Sequence, residues 1–179
     1  MPARRQSHLR NSAIATGSLG ASSFVNSLVT LTAVGDTSNV LSGTSSELFV
    51  AAVSINIAAL GTTASLTGTA DVFSCDVRGF SSTVGITDDS GVVADILDTV
   101  SGAFSTYGLT TSIGLVTGSS IINPPNSFGT NLGLFQISSA GNATFTAMVA
   151  PEPDTVVLLG FGLTGLTALV RRKRTASAT

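Results

Sequence analysis

Apolar and polar residues alternate along much of the chain between residues 24 and 150. The apolar residues Val53, Ile55 and Ile57 are separated by single polar residues, so their side chains share one face of an extended strand. Clusters of Gly, Ser and Asn interrupt the alternation at intervals of roughly a dozen residues. Further predicted strands cover the ranges 25–33, 64–77, 109–116, 132–138 and 143–149. This pattern predicts an all-β body, an antiparallel β-sandwich of jelly-roll or Ig-like type.

The alternation is weaker in two regions. Residues 1–23 are mostly small and polar with a basic start, and they lack the run of about 7–15 apolar residues that a secretory signal peptide contains. We expect these residues to be a disordered or incomplete N-terminal export region. In the range 89–100, Val92, Ile96 and Val100 fit helical spacing, but β-branched side chains weaken the helical interpretation.

The hydropathy pattern changes after residue 150. The sequence Pro-Glu-Pro-Asp at 151–154 is followed by an uncharged run over 155–170. A basic cluster then follows, made of Arg171, Arg172, Lys173 and Arg174. A helix over the uncharged run would span about 24 Å, at the short limit for a hydrocarbon core of about 30 Å. Because the run has no polar face and ends at four cations, we predict one C-terminal transmembrane helix, with a buried soluble helix as the alternative.

Composition supports strands and excludes a largely helical protein. Among the 179 residues, Ser and Thr number 49 and Gly numbers 19, whereas only 10% of residues are charged. Thr, Ser and Gly suit strands and turns, and the straight-chain polar residues that cover exposed helix faces are scarce. One domain is expected for the body, residues 24–150.

Charge is distributed unevenly along the chain. Residues 11–150 contain eight acidic residues against one basic residue, Arg78, whereas both ends are basic. A body with one cation cannot neutralise a row of phosphates. We therefore expect no nucleic-acid partner.

Candidate catalytic and metal-binding residues are scarce. His8 is the only histidine and Cys75 the only cysteine. A histidine-dependent triad would have to take its imidazole from the polar N-terminal arm, and a Cys–His zinc cluster has too few ligands. Because Cys75 alternates with Phe73 and Val77, we expect a buried thiol that acts as a small hydrophobic residue. We predict no catalytic, cofactor-binding or metal-binding residue, and no cofactor.

Two groups of acidic residues have competing interpretations. Clustered carboxylates between Asp88 and Asp98 suit calcium, but their spacing matches no EF-hand, so a solvated loop is favoured. Asp71 and Asp76 fall on opposite faces of a regular strand. For these we expect a surface ion pair with Arg78 rather than an acid/base pair.

The C-terminal stretch "PEPDTVVLLGFGLTGLTALVRRKR" resembles the PEP-CTERM sorting signal of bacteria that make extracellular polysaccharide. The resemblance covers residues 150–174, and in "GNATFTAMVAPEP" a predicted last strand runs directly into the motif. It implies that an exosortase, a membrane-embedded cysteine transpeptidase-like enzyme, recognises Pro151, Glu152 and Pro153. It also implies that 155–170 is held transiently in the inner membrane, with 171–174 as the cytoplasmic stop and 175–179 as a tail.

These observations lead to one expected function and two alternatives. We expect an exported, non-enzymatic structural or interaction protein of a Gram-negative type bacterium. It is made as an inner-membrane precursor and sorted to the cell envelope, the medium or an exopolysaccharide matrix, with extracellular polysaccharide as a candidate partner. One alternative is a glycan-binding module, although the chain has no Trp and a single Tyr, Tyr107. The other is a secreted hydrolase that uses paired carboxylates.

Overall fold

The computed structural model describes residues 5–43, 45–75, 82–88, 94–123 and 126–150. These residues form strands joined by turns and two short 3-10 helices, Ala58–Leu60 and Gly102–Phe104. The strands are β1 (Gln6–Leu19), β2 (Ser22–Ser42), β3 (Ser45–Ile57), β4 (Thr62–Ser65), β5 (Ala70–Cys75), β6 (Thr83–Asp88), β7 (Ala94–Val100), β8 (Ile113–Ile121), β9 (Phe128–Thr130) and β10 (Gly133–Ala150).

The strands form one closed antiparallel sheet. Neighbours follow the order β1-β2-β3-β5-β6-β7-β8-β10, and β10 pairs back with β1 from Gln6 opposite Ala150 to Leu19 opposite Phe135. This pairing closes eight strands into a barrel, whereas β4 and β9 add to the edges of β3 and β10. The all-β prediction is confirmed, but the predicted β-sandwich is wrong. A sandwich requires two separate stacked sheets, and the β1–β10 pairing leaves one continuous sheet.

Residues 1–23 were predicted to be a disordered or incomplete N-terminal export region, and the prediction of disorder is wrong for Gln6–Leu19, which form β1. β1 pairs along its length with both β2 and β10. Its buried Leu9, Ala13 and Ala15 face the barrel interior, where space is limited and small side chains fit. Because these side chains are small, the alternation of apolar and polar residues that predicts a strand is weak in this stretch of the sequence.

Several strand boundaries differ from the predicted ones. The ranges 132–138 and 143–149 belong to one long strand, β10, and the predicted strand over 109–116 begins only at Ile113. Residues 94–100 form β7 rather than a helix. A β-bulge in β7 leaves Ile96 without a registered partner on β6, and both Ile96 and Leu97 are buried. Because Ile96 and Leu97 are adjacent and both buried, β7 departs from the strict alternation of a strand. This departure explains the helix-like spacing of apolar residues in the range 89–100.

An aromatic cluster fills the barrel at one end. The loop between β7 and β8 carries Phe104 and Tyr107 inward, where they contact Phe145 of β10. The rings of Phe104 and Phe145 are 5.6 Å apart and nearly perpendicular, at 89°. Edge-to-face contacts of this kind are favourable because the positive ring edge meets the negative ring face. This end of the barrel is therefore plugged by side chains.

The described part of the chain contains no helix long and apolar enough to cross a membrane. Its helices are the two 3-10 helices, each of three residues. The predicted C-terminal transmembrane helix covers residues 155–170, which lie outside the described residues.

Candidate functional site

The last strand, β10, ends at the rim of the barrel, directly before Pro151 of the predicted sorting motif. We call this the exit rim and define it by Gln6, Ser112, Val149 and Ala150. Ala150 ends β10 and is paired with Gln6 of β1. The Val149 amide donates a hydrogen bond to Ser112 Oγ at 2.9 Å. The residue before Pro151 is therefore held by a neighbouring strand and a loop.

The predicted site residues themselves lie outside the described residues. These are the recognition motif Pro151, Glu152 and Pro153, and the basic cluster Arg171, Arg172, Lys173 and Arg174. Their point of attachment is nevertheless defined, because β10 extends without a break to the residue before the motif.

Tyr107 lies near the exit rim and is buried. Its hydroxyl donates a hydrogen bond to the Thr111 carbonyl at 3.2 Å, and its backbone carbonyl accepts one from Ser74 Oγ at 2.6 Å. Burial raises the pKa of Tyr107 above its usual range. A sugar-binding platform needs an exposed aromatic face. Tyr107 therefore does not provide the platform on which the glycan-binding alternative would have relied.

Asp98 of β7 and Asp88 of β6 are both buried. The prediction of a solvated loop is therefore wrong at these two positions. Asp98 is paired in register with Gly85 of β6, and a Cβ atom at residue 85 would overlap its Oδ1. Among the residues that the structure describes, no hydrogen-bond partner reaches this oxygen. Burial, with the nearby Asp95 carboxylate as a second cause, raises the pKa of Asp98 to about 9. This shift favours the protonated form of Asp98 at neutral pH.

Asp95 lies next to this site and is half-buried. Burial raises its pKa, and a hydrogen bond from Asn123 Nδ2 at 3.3 Å opposes the shift. Within the described ranges, no group of three or more His, Cys, Asp or Glu side chains could hold a metal ion. Asp89, Asp76 and Arg78 lie outside those ranges.

Cys75 and His8 occupy outer positions on the barrel. In β5 the buried side chains include Val72 and Ser74, whereas Cys75 is only half-buried. The predicted burial of the thiol is thus wrong, because the register of β5 points the other set of alternating residues inward. His8 is exposed on β1, opposite Met148 of β10.

A surface groove crosses four strands on the outside of the barrel. This outer groove has a volume of about 300 Å³ and is lined by Arg10, Ser12, Leu28, Leu115, Thr144 and Thr146. No local sequence pattern predicts this groove, because its residues come from four strands, β1, β2, β8 and β10. The only local signal was the spacing of Thr144 and Thr146 two residues apart, which places both on one face of a strand.

Comparisons with known proteins place one segment of the chain in a family. No curated protein and no solved structure matches the chain. Residues 149–174 match the family model described as the PEP-CTERM protein-sorting motif. This motif implies a membrane-anchored precursor that an exosortase sorts to the cell envelope. The chain therefore contains a PEP-CTERM protein-sorting motif, at residues 149–174.

Proposed function

We propose that the barrel is a non-enzymatic structural or interaction module that the sorting motif delivers to the cell surface. The observation that carries this proposal is the position of the motif. The match begins at Val149, inside β10, so signal and barrel adjoin with no further domain between them. The barrel is therefore the part of the chain that sorting would carry to the cell surface.

Processing at the motif would leave the described fold intact. All the strands described lie before Pro151, and the β1–β10 pairing that closes the barrel ends at Ala150. Removal of the tail at or near residues 150–154 therefore removes no strand. We propose that the mature protein retains this barrel, at the outer surface or within an extracellular polysaccharide matrix.

The placement of the reactive side chains supports a non-enzymatic role. Asp98 has a raised pKa, as a general acid would, but only 2% of its surface is exposed and a substrate would not reach it. Tyr107 is enclosed by aromatic rings, and His8 is exposed on the outer face of β1. A general acid or base must lie within hydrogen-bond reach of the reacting atoms.

Intact-mass analysis of envelope and medium fractions tests the sorting part of the proposal. In exosortase-positive cells, the wild-type chain should yield a species ending at or near residues 150–154. Glu152→Ala should accumulate as the full-length chain, because the change removes the only charge between the two motif prolines. Glu47→Ala, on β3, is the matched control and should be processed normally.

Two outcomes would contradict the sorting proposal. One is wild-type protein that still ends at Thr179 in every fraction of exosortase-positive cells. The other is identical processing of the wild-type and Glu152→Ala chains. The non-enzymatic part would be overturned by a hydrolytic activity of the full-length chain that Asp98→Asn abolishes without lowering the melting temperature.

A further inference from the structure

We propose that the outer groove binds a carboxylate-bearing saccharide, such as a uronate unit of an acidic polysaccharide. This inference rests on the proposed location of the barrel at the cell surface. It identifies the chemistry of a partner and a place on the barrel where that partner binds.

The groove is built from neighbouring strands of the closed sheet. Arg10 of β1 is opposite Thr146 of β10, and Ser12 is opposite Thr144, so these four side chains lie side by side. Arg10 and Ser12 alternate along β1 with residues that face the interior, which places them on the outer face. The polar floor of the groove therefore exists only because β1 pairs with β10.

Two aliphatic side chains form the walls on either side of this floor. Leu28 of β2 is 41% exposed and Leu115 of β8 is 72% exposed. Exposed leucines on both sides of a polar floor offer C–H surface to a ligand with one apolar face. A pyranose ring has such a face, and its hydroxyl groups lie around the edge.

The charge of the groove favours an anionic ligand. Arg10 is exposed, and none of the groove-lining residues in the described part of the chain is acidic. The body of the chain is otherwise acidic, with eight acidic residues against one basic residue between residues 11 and 150. A guanidinium group binds a carboxylate through two parallel hydrogen bonds. A carboxylate placed here therefore has a favourable partner in Arg10 and meets no acidic side chain among the described lining residues.

Two of the three hydroxyl groups of the floor, those of Ser12 and Thr144, favour a ligand that also donates hydrogen bonds. Ser12 Oγ donates to Thr30 Oγ1 at 3.2 Å, and Thr144 Oγ1 donates to the Ser12 carbonyl at 3.4 Å. Both hydroxyl protons are thus used within the protein, and the oxygen lone pairs are left to accept. A lipid phosphate mainly accepts hydrogen bonds. A uronate both donates, through its hydroxyl groups, and accepts, through its carboxylate.

Calorimetric titration of the full-length chain in detergent tests the proposal. The probe is trigalacturonate, and the comparison ligands are its fully methyl-esterified form, glycerol 1-phosphate and triglutamate. We expect trigalacturonate to bind most tightly. Arg10→Gln should weaken its binding about tenfold or more, because a charge-assisted pair is lost. Thr146→Val, which keeps the side-chain shape, should weaken it about fivefold.

Arg5→Gln is the matched control, because Arg5 is exposed but does not line the groove. Its affinity for trigalacturonate should stay within about twofold of wild type. Melting temperatures of all variants report whether they fold. If a variant does not fold, the ligand preference of the wild-type chain still decides the question.

The proposal is overturned if trigalacturonate does not bind, or if the methyl ester, glycerol 1-phosphate or triglutamate binds as tightly. It is also overturned if folded Arg10→Gln binds like wild type. Arg10→Gln should still lose its tail normally in exosortase-positive cells. Failure of the titration with normal processing would contradict the groove alone, whereas failure of wild-type processing would contradict the proposed sorting.

Discussion

Asn11 of β1 donates a hydrogen bond from Nδ2 to the Leu97 carbonyl of β7, 2.9 Å away. Its Oδ1 accepts a second bond, from Thr99 Oγ1, also at 2.9 Å. Asn11 is fully buried, so both ends of its amide are satisfied inside the barrel. The contact joins β1 to β7, a strand whose registered pairs with β8 run only from Asp98–Ile121 to Val100–Ser119.

Replacing Asn11 with Leu should destabilise the barrel strongly. The change keeps the approximate volume but leaves the Leu97 carbonyl and the Thr99 hydroxyl without these partners. We expect a loss of roughly 2–3 kcal/mol in the free energy of unfolding, measured by urea denaturation of the full-length chain. Asn142→Ala, at an exposed position of β10, should change it by less than about 0.5 kcal/mol. Equal effects of the two variants would show that the Asn11 bonds contribute nothing.

Asp98 should make the protein less stable as the pH rises. Its pKa is about 9 in the folded chain against 3.8 for the unperturbed group, so between these values the folded state binds more protons than the unfolded state. The free energy of unfolding then falls as pH rises through this window. Asp98→Asn should remove that dependence and raise stability at pH 7 by more than about 1 kcal/mol.

Thermal melts of the two chains from pH 3.5 to pH 9 test this expectation. Wild type and Asp98→Asn should melt at similar temperatures near the acidic end and diverge as the pH rises. Glu47→Gln, at a half-buried carboxyl on β3, serves as the control and should follow wild type. Parallel melting curves for wild type and Asp98→Asn across the range would refute the proposed protonated state.

Gly17 should tolerate no side chain. A Cβ atom at this position would overlap the Gln136 carbonyl oxygen of β10 and contact the Phe24 ring of β2 at 2.8 Å. Gly17→Ala should therefore cost about 1–3 kcal/mol of unfolding free energy in chemical denaturation. Gly114→Ala is the matched control on β8, where a Cβ atom meets nothing within 4 Å. A neutral Gly17→Ala would mean that β1 and β10 pack less closely than described.

The exit rim should loosen when Ser112 loses its hydroxyl group. Ser112→Ala removes the acceptor of the Val149 amide, so hydrogen exchange at that amide should accelerate about fivefold or more, as measured by NMR. Ser119→Ala, at an exposed position on β8, should leave exchange at Val149 unchanged. Unchanged exchange in Ser112→Ala would show that the strand pairing with β1 alone protects the end of β10.

Local sequence patterns were sufficient to predict the all-β class and to recognise the sorting motif. Alternation in segments such as 53–57 specifies an extended backbone, because side-chain direction in a strand has a period of two whatever its partner. The PEP-CTERM motif was recognisable because its residues are contiguous, at 149–174. Both features depend on residues close together in the chain, so the sequence by itself determined them.

Barrel closure, the buried Asp98 and the outer groove were decided by the tertiary structure. Closure depends on the pairing of β1 with β10, two strands at opposite ends of the described chain. The alternation of side chains along a strand has a period of two in a barrel and in a sandwich alike, so it does not distinguish them. Which face of β5 turns inward, and hence that Cys75 is only half-buried, depends on its register with β3 and β6. The groove brings Arg10 beside Thr146 only after closure, because no local pattern encodes contact between residues so distant in sequence.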